Sequence, residues 1–240
     1  MLVVLPDADA VARAAVDLIQ EAVIAGGSTL GLATGSTPLG TYTELARRVS
    51  QCSLSLSSCR GFLLDEYVGL PATSAESFRS VIRRDFVEQV DLPDAHVFAP
   101  DGTAPDLQGE ARRYEAAVRD AQVDVQLLGL GANGHIGFNE PGSALDSLTR
   151  VVTLTEQTRR DNARFFEDPA AVPKRAITQG LTTICRARRI LLLVLGERKA
   201  HALRDALEGP VDPGCPASVL QTHLDVHVLA DPAAAGLLTR

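Results

Sequence analysis

The 240-residue chain contains no tryptophan, and its aromatic residues make up only 4%. Platforms that stack nucleobases are built from aromatic side chains, so that mode of nucleic-acid binding has little to work with. Positive charge is also scarce: 23 Lys and Arg stand against 30 Asp and Glu, for a net charge of −7. Nucleic-acid-binding domains carry the opposite balance, so no nucleic-acid partner is expected. A small anion stays allowed, because local N–H groups and single cations hold a phosphate whatever the net charge. No apolar run reaches the roughly 18 residues that a membrane span requires. The N-terminal MLVVLPDADA has neither a basic segment nor a long apolar stretch, so no signal peptide is expected. Cys52, Cys59, Cys185 and Cys215 form no CxxC pair and no zinc spacing. Reduced thiols of a cytoplasmic protein are expected, with no metal site. A chain of this length buries roughly 70% or more of its unfolded surface, so its core needs no such staple.

What the chain does have is alternation of strand and helix signals. Leu2 to Leu5 is a short apolar run. Val11, Ala15, Leu18, Ile19, Ala22 and Val23 then fall on one helical face, after Asp7 as N-cap and before Gly26-Gly27 as stop. Ser28 to Ala33 reads as a strand, Thr34 to Thr37 as a polar turn, and Pro38 as the first residue of a helix to about Val49. Phe62 to Leu64 is a short buried strand ending at Asp65-Glu66. Ser77 to Val90 reads as helix, Leu92 to Pro105 as a loop and Leu107 to Asp120 as helix. Val123 to Leu130 is a strongly apolar strand running into a glycine-rich loop, Gly129 to Gly142. Val151 to Leu154 reads as strand, Glu156 to Phe166 as a polar helix or lid, and Ile190 to Leu195 as a central parallel strand. Gly196 ends that strand, a helix bearing Lys199 follows, and Asp225 to Leu229 is the last strand.

This order predicts an α/β protein: a Rossmann-like, doubly wound, mostly parallel sheet with helices on both faces. One domain over residues 1–240 is expected, with a mobile helical lid at 156–168. Ligands of such sheets bind beyond the carboxyl ends of the strands. Thr34–Thr37, Asp65–Glu66, Gly131–Glu140 and Gly196–Lys199 should therefore converge on one crevice.

Each segment has a chemistry. Small residues in Thr34-Gly35-Ser36-Thr37 let an anion approach the backbone at a helix N-terminus, although ordinary capped turns look alike. No GK[ST] follows, so this is not a Walker loop. Strand alternation sends Asp65 and Glu66 to opposite sides, one toward the crevice as a general base, the other toward solvent or a helix terminus. His135 suits proton exchange near neutral pH, with Glu140 to orient its ring and Asn133 as a neutral donor or acceptor. Arg164 and Lys199 suit a phosphate, as fork and as point charge.

The combination resembles the glucosamine-6-phosphate deaminase family. GLATGSTPLGTY, LLDEYVGL, LLGLGANGHIGFNEPGS, TRRDNARFF, VPKRAITQGL and LVLGERKA occur in the expected order over nearly the whole chain. The resemblance implies that glucosamine 6-phosphate and water become fructose 6-phosphate and ammonia. It implies no metal and no cofactor, and a sugar phosphate as the small-molecule partner. By the same resemblance Asp65 abstracts the C2 proton, His135 assists ring opening and Glu140 pairs with it, while Gly35, Ser36, Thr37, Arg164 and Lys199 hold the phosphate. Asn133 stands where part of the family has Asp, which predicts a lower His135 pKa than an Asp neighbour would give. Allosteric hexameric members share Arg150 but carry lysine at Val152, serine at Ala144 and a C-terminal extension. No activation by N-acetylglucosamine 6-phosphate is therefore expected, and monomer and homo-oligomer both stay open. The rivals are a galactosamine-6-phosphate deaminase/isomerase, then 6-phosphogluconolactonase, whose look-alikes read DER at Asp65-Glu66-Tyr67 and lack FNEP. Last comes a non-catalytic sugar-phosphate sensor, which would need a DNA-binding segment.

Overall fold

The computed structural model describes residues 1–239. β1 (Leu2–Val4) leads into α1 (Ala8–Ile24), where the Asp7 carboxylate accepts the Ala10 N–H at 2.7 Å. β2 (Thr29–Leu32) is followed by α2 (Leu39–Ser50), which starts one residue after Pro38. Next come β3 (Arg60–Leu63), β4 (Asp65–Tyr67), α3 (Phe78–Asp85) and the two-residue β5 (Val97–Phe98). α4 (Leu107–Ala121), capped by Asp106, precedes β6 (Val125–Gly129). Then follow β7 (Arg150–Thr153), α5 (Glu156–Asn162), β8 (Arg175–Thr178) and α6 (Leu181–Ile184). β9 (Arg189–Val194), α7 (Ala200–Glu208), β10 (Val226–Ala230) and α8 (Pro232–Ala235) end the series.

Seven strands form one parallel sheet in the order β1-β10-β9-β6-β2-β3-β5. From β2 the chain steps outward through β3 to β5. It then returns to the other side of β2 as β6 and steps outward through β9 to β10. The direction reverses between β2 and β6, so a crevice opens beyond their carboxyl ends. Alternation along β9 divides the core. Ile190, Leu192 and Val194 pack with Tyr114 and Val118 of α4, Ile184 of α6 and Leu203 of α7. Leu191 and Leu193 pack with Val11 and Ala15 of α1, Tyr42 of α2 and Ile82 of α3. Helices on both faces, as expected, remove every central strand from water.

A second sheet was not foreseen. β4, β8 and β7 form an antiparallel sheet of three strands in that order. Asp65 and Glu66 therefore do not end the strand before them. Leu64 still donates its N–H to Leu32 of β2, but at Asp65 the chain leaves the parallel sheet and pairs with Thr178 of β8. The four-residue β8 is too short to display a period of two, and Pro173 just before it reads as loop. The helix expected over Ser77 to Val90 stops at Asp85, because Phe86 turns into the core at φ −138° and 0% exposure. Lys199 lies not inside a helix but in a short 3-10 turn, Glu197–Lys199, just before α7.

Candidate active site

The loop after β2 presents unpaired backbone donors. Gly35 has φ +103°, a conformation that a side chain would strain. Among the described residues, the backbone N–H groups of Gly35, Ser36 and Thr37 have no protein partner. The Ser36 and Thr37 hydroxyls do not cap α2 either, whose start at Pro38 has no side-chain bond. These free donors stand at the positive end of a twelve-residue helix.

Asp65 and Glu66 take opposite directions. The Glu66 carboxylate, 2% exposed as a residue, accepts the N–H groups of Tyr67 at 2.8 Å and of Phe78 and Arg79 at 2.9 Å. It anchors the N-terminus of α3 and serves structure. Asp65, 6% exposed, turns toward Gly137, where an added Cβ would lie 3.4 Å from Oδ2. Burial, and secondarily the charge of Glu66, push its pKa up to about 8. A carboxylate so poised near neutrality is what a general base requires.

His135, Asn133 and Glu140 form a directed chain of hydrogen bonds. The backbone N–H of His135 donates to Asn133 Oδ1 at 3.2 Å, and Asn133 Nδ2 donates to Glu140 Oε2 at 2.9 Å. These two contacts set the amide's orientation. Oδ1 then accepts from His135 Nδ1 at 2.6 Å, so Nδ1 carries the proton and the lone pair of the neutral ring is on Nε2. Burial holds the His135 pKa below its ordinary value; Glu140, 3.7 Å from Nδ1, and Asp161 raise it, and Lys199 lowers it. Asn133→Asp would set a second carboxylate against Glu140 across the same short gap. One of the two would keep a proton, and the other would accept from Nδ1. The His135 titration followed by NMR is expected to move up by about one pH unit; an unmoved titration would refute the chain.

Lys199 and Arg164 are close enough to sense each other. Burial lowers the Lys199 pKa, Asp161 raises it and Arg164 lowers it further. A partly buried lysine with an exposed arginine near it suits a doubly charged anion. The Arg164 guanidinium itself lies over the Phe165 ring at 4.7 Å. A cavity of about 220 Å³ runs from Thr34, Gly35 and Ser36 to Tyr67, Phe78 and Phe166. It adjoins the loop after β2 but includes neither Thr37 nor Arg164 nor His135. Among the described residues, no group of three or more His, Cys, Asp or Glu side chains is placed to hold a metal.

Sequence reading missed the residues that bind α5 to this site. Thr158 donates to Glu140 Oε1, and Asn162 Nδ2 donates to the Tyr67 hydroxyl at 2.9 Å. Their spacing of four puts them on one helical face, a signal visible in TRRDN once the helix is granted. Arg150 donates to Asn139 Oδ1 at 2.8 Å, while Asn139 Nδ2 donates to the carbonyls of Ile136 and Gln179. Arg150 thus braces the histidine loop through Asn139.

A reversal point bearing an acid–base pair and an open anion loop marks the class of α/β enzymes that act on small anionic molecules. Comparison with known proteins narrows it. The family model described as glucosamine-6-phosphate isomerases/6-phosphogluconolactonase matches residues 6–228, and the chain belongs to this family. It is 55% identical over 223 residues to a glucosamine-6-phosphate deaminase of Rhodococcus opacus (strain B4), covering 92% of this chain and 86% of that one. Identity to the glucosamine-6-phosphate deaminase of Cutibacterium acnes is 51% over 240 residues, or 99% of this chain and 92% of the relative. The solved structure of a monomeric glucosamine-6-phosphate deaminase superposes with a TM-score of 0.95 at 42% identity, covering 98% of this chain and 99% of that one. The 6-phosphogluconolactonase of Trypanosoma brucei, at 24% identity and a TM-score of 0.77 over 100% and 98% of the two chains, shares the fold.

Proposed function

We propose that this protein is a glucosamine-6-phosphate deaminase. The substrate comes from relatives of that name at 51–55% identity over nearly the whole chain. The observation that carries the chemistry is the relay that leaves Nε2 of His135 as the basic nitrogen, with Asp65 buried beside Gly137 of the same loop. His135 takes the proton of the anomeric hydroxyl and returns one to the ring oxygen as the pyranose opens. Asp65 removes the C2 proton, which is delivered to C1, leaving an imine at C2. Water adds to that carbon and the C–N bond breaks, giving the ketose phosphate and ammonia. The loop Thr34–Thr37, with Lys199 and Arg164, holds the phosphate and so fixes C2 against Asp65.

We take the chain as one domain with residues 156–168 as its lid, active as a monomer. Four free cysteines suit a cytoplasmic setting. Arg150 is already engaged with Asn139, which favours the absence of an N-acetylglucosamine 6-phosphate response. The test is ammonia release from glucosamine 6-phosphate by purified protein, beside galactosamine 6-phosphate and 6-phosphogluconolactone. Release from the first substrate with little from the others is expected. Turnover of only the galactosamine epimer, or of only the lactone, would replace the assignment.

A further inference from the structure

Helix α5 touches the catalytic segments at both ends of the site. Thr158 is 5% exposed, and its Oγ1 donates to Glu140 Oε1 while accepting from Thr155 Oγ1 at 3.1 Å. One turn on, Asn162 holds the hydroxyl of Tyr67, two residues after Asp65. Asp161, between them, faces both His135 and Lys199, and Arg164 follows directly. The helix that runs directly into the turn bearing Arg164 is thus bonded to the carboxylate that orients the histidine.

We propose that Thr158 is a positioning residue that couples the seating of α5 to the histidine. Glu140 has two oxygens, and each receives one donor: Asn133 Nδ2 on Oε2 and Thr158 Oγ1 on Oε1. With both in place the carboxylate cannot rotate, the Asn133 amide stays oriented, and His135 keeps its proton on Nδ1 and its lone pair on Nε2. Lifting α5 removes the Oε1 donor. Glu140 is then held by Asn133 alone and is free to approach Nδ1, now 3.7 Å away. A substrate phosphate that engages Arg164 would hold α5 in this seat, so the relay stays complete and the proton-handling nitrogen stays set while the substrate is bound. The kinetic part of this inference rests on the deaminase reading; the hydrogen-bond part does not.

The charged groups facing His135 are Glu140 on its own loop, Asp161 on α5 and Lys199 in the turn after β9. Thr158→Val keeps the shape and deletes the donor, leaving more of the Glu140 charge directed at the imidazole. Its NMR titration of His135 should move up in the substrate-free protein, and Thr158→Ser should restore it. In the ammonia assay Thr158→Val should lower kcat roughly tenfold with KM little changed, and Thr158→Ser should recover most of the loss. An unmoved titration in Thr158→Val, or a serine variant as impaired as the valine one, would overturn the proposal. Should Thr158→Val fail to fold, Thr158→Ala carries the same titration. If no form of the protein releases ammonia, the substrate assignment falls while the titration still decides the role of Thr158.

Discussion

Asp65→Asn is expected to lower ammonia release by about 10²–10⁴-fold, the contribution of a positioned general base. The same variant should be more stable than the parent at alkaline pH. Folded Asp65 takes up its proton at about 8, whereas a carboxyl of this type in water does so at 3.8. Between those values the folded state binds more protons than the unfolded one, so this residue's contribution to stability falls as pH rises from 4 to 8. Asparagine carries no charge and escapes that loss. At pH 8 the full difference between the two pKa values corresponds to a gain of about 5 kcal/mol, or roughly 10–20 °C in Tm, shrinking to nothing near pH 4. Thermal melts of both proteins across that range check the trend. Equal melting temperatures at every pH would show that Asp65 is no strained base. Loss of activity without gain in stability would point to a role in binding.

Glu66→Ala is expected to do the reverse. Its carboxylate accepts three backbone N–H groups in a place only 2% exposed. Alanine leaves those donors buried and unpaired, at about 1–3 kcal/mol each. Part of this is recovered, because burial raises the Glu66 pKa and the charge is itself costly to keep there. A net loss of about 3 kcal/mol is expected, lowering Tm by roughly 6–12 °C. The Glu66 charge also helps raise the Asp65 pKa, so the alanine variant should titrate Asp65 at lower pH. Neighbours in sequence would thus fail in opposite ways: one variant stable and inactive, the other active and unstable. A Glu66→Ala protein as stable as the parent would refute the anchoring role.

Much of this molecule is legible in its sequence. Apolar runs such as Ile190–Leu195 and the glycine-rich LGLGANGHIGFNEPG declare strand and loop, because burial on both faces needs aliphatic residues and close approach needs glycine. The rule that ligands bind beyond strand ends led from those runs to Thr34–Thr37, Asp65, His135 and Lys199. The parallel sheet was readable for the same reason: strands such as β1, β2, β5 and β9 alternate with helices that have their own apolar faces. Of the antiparallel trio, β7 was read as a strand, but β4, β8 and their pairing were not, because three- and four-residue strands carry no period long enough to recognise.

By itself the sequence determined which groups are present and which loops carry them. It also narrowed Asp65 and Glu66 to opposite directions, since alternation allows nothing else. Only the tertiary structure decided which way each went: Glu66 to the three N–H groups at α3, and Asp65 to Gly137. It alone placed Asn133 between His135 and Glu140, and Thr158 on the far oxygen of Glu140. These hydrogen bonds depend on the relative placement of loops and of a helix eighteen residues downstream. No local pattern encodes that placement, because it is set by the packing of both sheets at once.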